Sequence, residues 1–258
     1  MSLPTLEYIE KQKGREIPIT FHKICPDSSN TIKSQACKQK KSLSIVTFFE
    51  KDDNFNKLIK NDIKKQLEDL NFNFIQTERL HCTFLGLYPS KQTFTESSNE
   101  HFDYLITEKV KEFFIDKKNN RYHTTFNLKY DEIRPGTWHG LHNNQIPNAS
   151  DGTLVAIGNQ DSDDNKKFVT LADELVCYLK TNLSQIFSNK FERKFSTIWS
   201  TVGFFYFQDF IFNQRFVDVF NQLKQSSNFK IKIKKLELVQ YTYRDLRDAN
   251  IIGEPFEF

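Results

Sequence analysis

The order of hydrophobic periods runs through this chain twice, and that repetition limits the folds open to it more than any other feature. Ser42 to Glu50, SLSIVTFFE, is strand-like, and Phe55, Leu58, Ile59, Ile63, Leu67 and Leu70 then recur at helical spacing. NFNFIQTERL and HCTFLGLY follow, both rich in aromatic or β-branched residues. A second helix is predicted from the apolar face of Phe102, Leu105, Ile106, Val110, Phe113 and Phe114, and TTFNLKYDEI, from Thr124, alternates as a strand. The stretch from Arg134 to Gly152 is crowded with Gly, Pro, Asn and Asp and reads as a long loop. Beyond it the order returns. TLVAIGN is strand-like; Phe168, Leu171, Ala172, Leu175, Leu179, Leu183 and Ile186 mark a helix; FSTIWSTVGFFYF is a strand; Phe212, Phe216, Phe220 and Leu223 mark another helix; FKIKIKKLELVQYTY closes as a strand.

Two halves of strand, helix, strand, helix, strand imply an α+β fold built by duplication. Laid on one another, LHCTFLGLY from Leu80 falls on IWSTVGFFY from Ile198, which aligns Thr83 with Thr201, and TTFNLKYDEI falls on FKIKIKKLEL. The first forty residues carry Pro4, Pro18, Pro26 and a polar run with no sustained period, so residues 1–41 read as an irregular extension and 42–258 as the domain. Its first lobe covers about 42–134, the interlobe loop 135–152 and the second lobe 153–258.

Composition narrows the class. With 258 residues, 38% of them hydrophobic and 26 of them Phe, the chain can build a sizeable core. A net charge of +3 exerts no strong pull on nucleic acid, which argues against a dedicated duplex binder. No stretch reaches the roughly 18 consecutive apolar residues of a membrane span, and the start lacks a signal peptide's apolar core, so a cytoplasmic protein with no membrane partner is expected. Cys25, Cys37, Cys82 and Cys177 form no CxxC pair, so reduced thiols are expected rather than a disulfide framework or a zinc site.

His81-Cys82-Thr83 is the group with chemistry in it. In a strand, residues i and i+2 share a face, so His81 and Thr83 project side by side. A histidine gives or takes a proton near neutral pH, and a threonine hydroxyl donates to a phosphoryl oxygen. The surrounding FIQTERLHCTFLGLY resembles the first signature of the two-histidine phosphoesterase superfamily, which includes bacterial 2'-5' RNA ligase-like proteins and cyclic phosphodiesterases. The resemblance spans about Ser42 to Leu246. It implies two related lobes with antiparallel sheets, each presenting a His-x-Thr or His-x-Ser strand to a central cleft. It also implies a phosphodiesterase without metal or other cofactor, acting as a monomer on 2',3'-cyclic or 2'-5' phosphodiesters of nucleotides or RNA ends. One histidine would serve as general base and the other as general acid.

His81 and Thr83 match the first motif and Thr201 the second, but the second histidine's place is held by Trp199. An indole donates one hydrogen bond and can stack on a base, yet it cannot shuttle a proton. Two readings therefore stand: a weakened enzyme with His81 as acid or base and Thr83 and Thr201 holding phosphate, or a degenerate nucleotide- or RNA-binding protein using the same cleft. Trp199 is read either as core packing or as a stacking platform. His139 and His142 in the long loop are candidate substitute proton carriers, with Arg134 as a phosphate partner. Tyr241 and Tyr243 are candidates for substrate binding at the end of the closing strand, whose Lys230, Lys232 and Lys234 share a solvated face. GNQDSDDN, from Gly158, lacks the spacing of a calcium loop.

Overall fold

Where β-branched and aromatic residues cluster between turn residues, the chain is extended; where apolar residues recur every third or fourth place, it coils. The computed structural model describes residues 16–18, 42–50, 72–75, 77–87, 96–119, 125–137, 150–187, 197–205, 209–211, 229–241, 246 and 248–257. The strands are β1 (Glu16–Pro18), β2 (Ser42–Phe48), β3 (Phe72–Phe74), β4 (His81–Gly86), β5 (Phe126–Tyr130), β6 (Glu132–Thr137), β7 (Ser150–Gly158), β8 (Ile198–Phe205), β9 (Asp209–Ile211), β10 (Phe229–Ile233), β11 (Lys235–Tyr241), β12 (Asn250–Ile251) and β13 (Phe256–Glu257). Among the described residues the α-helices are α1 (Glu96–Asn119) and α2 (Asp163–Asn182). Every strand pairing among the described residues is antiparallel, and the fold is α+β. Among the described residues no helix is long and apolar enough to cross a membrane.

The helix α2 follows from its ends as much as from its stripe. The Ser162 hydroxyl caps it by accepting from the Asn165 N–H, and Asp163 and Asp164 place negative charge in the first turn. Phe168, Val169, Leu171, Ala172, Leu175, Val176 and Leu179 are buried along one side. The helix stops at Asn182, so Leu183 and Ile186 are buried in the turn that follows rather than in the helix. Ser162 belongs to the run GNQDSDDN, whose acidic residues therefore open a helix. Along α1, Ile106, Val110, Phe113 and Phe114 are buried, with Phe102 and Leu105 packed beside them. The helices expected over 55–70 and 212–223 lie outside the described residues.

One sheet has the order β12-β11-β2-β4, with β13 also on β11; the other has the order β3-β8-β7-β6. The strand β6, before the long loop, thus joins β7 and β8 after it, while β11 joins β2 and β4 from the first half and β3 lies in the second sheet. Among the described residues β5 also pairs with β10 and β1 with β9. Five expectations shift. TTFNLKYDEI is two strands broken at Asp131, and FKIKIKKLELVQYTY is two strands broken at Lys234. Matching these breaks sets Phe126 on Phe229, two places away from the match read off the sequence alone. The stretch read as a loop begins and ends in strand, since β6 reaches Thr137 and β7 starts at Ser150, and these neighbours are paired in one sheet. Backbone pairing needs no apolar period over three residues, which is why β1, inside the extension, was not legible in the sequence.

The two sheets also share an irregularity. The β2–β4 ladder shifts register between Ile45 and Val46, so that Val46 faces Thr83 and Phe48 faces His81. The β7–β8 ladder shifts between Leu154 and Val155, so that Val155 faces Thr201 and Ile157 faces Trp199. On the far side, Val46 faces Glu237 and Val155 faces Arg134. Each sheet therefore carries a row of Thr, Val and a charged residue immediately beside a bulge, a device that re-aims neighbouring side chains. Beneath the strands, Phe84, Phe126 and Phe168 are fully buried and meet edge to face at 4.9 and 5.3 Å.

Candidate functional site

The short helical turn Thr77–Arg79 delivers the chain into β4 and leaves the Arg79 carbonyl oxygen 2.8 Å from His81 Nδ1. A carbonyl only accepts, so Nδ1 carries a proton, and in the neutral form of the ring the lone pair lies on Nε2. His81 is buried, and its ring meets that of its cross-strand partner Phe48 edge-on at 6.1 Å. Thr83, two residues along, is half-buried on the same face, while Cys82 and Phe84 on the other face are wholly buried.

In β8 the alternation repeats. Trp199 and Thr201 are half-buried, and Ser200 and Val202 are buried. The indole Nε1–H donates to Thr201 Oγ1 at 3.2 Å, and the ring packs on Val155 and Ile157. Because Thr201 accepts that bond, its own hydroxyl hydrogen points elsewhere as a donor. Trp199 is thus partly what the plainer reading expected, a ring packed on its sheet, with part of its surface open.

The inward residues of the two strands converge. Ser200 Oγ lies 2.6 Å from the Tyr130 hydroxyl, which also touches the Cys82 thiol. Burial pushes the Tyr130 phenol well above its ordinary range, and the Cys82 thiol pushes the same way against the opposing Ser200 bond. β4 packs against β8. His81 and Thr83 on one strand, and Trp199 and Thr201 on the other, occupy the faces turned away from that phenol.

The other expected residues divide. Arg134 sits in β6 opposite Val155, two strands from Thr201. Tyr241 is buried in a cluster with Val46, Val239 and Leu246, and its hydroxyl lies 3.0 Å from Ser44 Oγ, so its ring is packed rather than offered for stacking. His139, His142 and Tyr243 lie outside the described residues, as do His22 and His123; His101 is exposed on α1. Lys230, Lys232 and Lys234 are exposed, and Lys234 pairs with Glu50 at 2.6 Å on the surface. Neither Cys82 nor Cys177 is in a disulfide. Sequence reasoning missed Glu237, which is buried on the row with Thr83 and bonds to Lys235 at 2.8 Å. Its signal was the alternation of KLEL, which sets Lys235 and Glu237 on one face. Tyr130 was missed too, and nothing local marks it.

No family model matches the chain, and no curated protein matches it. Among solved structures it is similar to the protein TT0787 of Thermus thermophilus, at 10% identity and a TM-score of 0.47, covering 84% of this chain and 97% of that one. It is similar to a phosphoesterase at 11% identity and a TM-score of 0.46, covering 84% and 99%. It is similar to E. coli LigT, in a complex with ATP, at 8% identity and a TM-score of 0.40, covering 84% and 99%. At these values the likenesses carry no argument about what the chain does.

Proposed function

We propose that this chain is a phosphodiester-binding protein of the two-histidine phosphoesterase type whose catalytic pair is incomplete. Its two sheets form duplicated lobes about one cleft, and His81, Thr83, Trp199 and Thr201 line it from the two sides. The observation that carries the reading is the shared register: Thr83 and Thr201 each face a valine immediately beside a bulge. Chance similarity of two α+β halves would not repeat the bulge beside the threonine.

Within that cleft the threonine hydroxyls donate to non-bridging phosphate oxygens, and Arg134, at the Thr201 row, supplies positive charge. The open part of the Trp199 ring stacks on a base. His81, basic at Nε2, moves one proton. Opening a 2',3'-cyclic phosphate with water needs a base for the water and an acid for the departing oxygen, and loss of one member of such a pair costs roughly 10² to 10⁴ in rate. Binding survives that loss, and turnover falls to a trace.

The test is titration with nucleoside 2',3'-cyclic phosphates and short RNA, with product analysis, on wild type, His81→Ala and Trp199→His. We expect wild type to bind with little or no hydrolysis, and Trp199→His to raise whatever hydrolysis exists. Rapid wild-type hydrolysis that His81→Ala leaves intact would overturn the assigned site, and absence of binding by every variant would overturn the function.

A further inference from the structure

We infer that Tyr130 is a positioning residue of this site: one buried phenol sets the spacing between the strand that carries His81 and Thr83 and the strand that carries Trp199 and Thr201. The inference rests on the reading of the site given above and adds to it what holds its two sides in place.

The phenol is well fixed. Its ring stacks on its cross-strand partner Phe229, with centroids 5.0 Å apart and planes within 9°, and meets Phe49 edge-on at 6.3 Å. Apart from Phe229, the groups it meets lie close in sequence to the site or to a residue packed on it. Phe49 follows Phe48, the residue against His81, and the Phe49 N–H donates to the Leu80 carbonyl at 2.9 Å, directly before His81. Cys82 lies between His81 and Thr83 in β4. Ser200 lies between Trp199 and Thr201 in β8, with its hydroxyl 2.6 Å from the phenol. In an extended strand adjacent side chains project to opposite faces of one rigid backbone, so a shift at Cys82 or Ser200 is passed on to both of their neighbours. Two threonines that grip one phosphate from different strands depend on that spacing, because hydrogen-bond strength falls steeply outside a narrow range of distance and angle.

A merely stabilising core tyrosine would behave differently. Under native conditions a modest loss of stability leaves nearly all molecules folded, and the affinity for ligand is unchanged. The dissociation constant of the folded protein therefore separates the two roles.

The experiment measures the affinity for adenosine 2',3'-cyclic phosphate of wild type, Tyr130→Phe, Ser200→Ala, the double variant and Phe126→Leu, each shown to be folded by circular dichroism. Phe126→Leu is the control, since Phe126 is equally buried in β5 but packs on Phe168. Tyr130→Phe keeps the ring stack and removes only the hydroxyl. We expect Tyr130→Phe and Ser200→Ala each to weaken binding by about tenfold, the size of one mispositioned hydrogen bond. The double variant should be no worse than the poorer single, and Phe126→Leu should match wild type. Tyr130→Phe and Ser200→Ala binding as tightly as wild type would overturn the inference, as would Phe126→Leu weakening by the same factor. Should Tyr130→Phe not fold, Ser200→Ala carries the measurement. Wild type that fails to bind would instead overturn the reading of the site itself, a result distinct from a bound wild type with indifferent variants.

Discussion

Asn165 stands in for a strand along the edge of β5: its side-chain amide accepts from the Lys129 N–H and donates to the Lys129 carbonyl, each at 2.8 Å. The other edge of β5 is paired with β10, so without this amide the Lys129 backbone would be left bare inside the protein. The same NH2 group donates to the Asn159 carbonyl at 2.6 Å, and neighbouring Asp164 accepts from the Asn127 N–H at 2.8 Å. The first turn of α2 thereby closes the edge of the strand that ends in Tyr130.

Asn165→Ala should therefore be costly. It strands one buried donor and one buried acceptor at Lys129, and with part of the loss recovered by water we expect about 3 kcal/mol. Asn165→Asp should be at least as damaging, since a carboxylate keeps the acceptor for the Lys129 N–H but faces two carbonyl oxygens with no hydrogen to give. Urea unfolding checks both through the fall in midpoint; variants within experimental error of wild type would contradict the edge-closing role.

Gly158, at the end of β7, passes so near β5 that a Cβ there would lie 2.1 Å from the Lys129 carbonyl oxygen and 3.0 Å from Asn165 Nδ2. The obstructing atom is backbone, which cannot swing aside. Gly158→Ala should force β7 and β5 apart and lower stability by about 3 kcal/mol, measured by thermal or urea melting. Because both residues act on the same Lys129 peptide, the double variant with Asn165→Ala should lose less than the sum of the two.

Tyr130 predicts a pH dependence. Its folded phenol titrates well above the ordinary value of 10.0 because burial disfavours the phenolate. Once pH passes 10.0 the unfolded chain loses that proton while the folded chain keeps it, so stability that is whole below this pH drains away as pH rises. The slope of unfolding free energy against pH above this point should be steeper for wild type than for Tyr130→Phe, which has no phenol to ionise. Equal slopes would place the Tyr130 hydroxyl in contact with solvent.

Much of this architecture was readable from residue order. The buried stripes of α1 and α2 fell where the periods put them, because a one-sided amphipathic helix writes its face into the sequence. The match of His81-Cys82-Thr83 to Trp199-Ser200-Thr201 is read from alternation, which preserves spacing in a strand, and in the ladders Thr83 and Thr201 each face a valine beside a register shift. Partner choice was not readable. Whether β6 pairs with β7 or with β2 is decided by contacts distant in sequence, and no local signal says that the closing strand returns to the first sheet. Tyr241 looked available because it ends a strand rich in aromatic residues, and only the cover from Leu246 and the bond to Ser44 remove it. Tyr130 looked like one more alternating core residue, and its hydroxyl has meaning only once β4 and β8 are seen on either side of it.

The threonines provide the sharpest test of the site, because valine keeps their shape and removes only the oxygen. At Thr201 the hydroxyl accepts from Trp199 Nε1–H at 3.2 Å, which turns its hydrogen outward, so Thr201→Val deletes a donor already aimed away from the indole. Thr83→Val deletes the corresponding donor on β4. Both residues are half-buried, so either change should alter stability by no more than about 1 kcal/mol. A hydrogen bond to a charged phosphate is worth about 1.5 to 3 kcal/mol, so each variant should bind a nucleoside 2',3'-cyclic phosphate at least about tenfold more weakly than wild type. If the two hydroxyls act from separate strands on separate oxygens, the double variant should lose about the product of the two factors. Isothermal titration on the three variants reads this directly. Loss at Thr83 alone would confine the ligand to the His81 side and leave Thr201 as a partner of Trp199 only, whereas wild-type affinity in all three would mean that no phosphate is held between these strands.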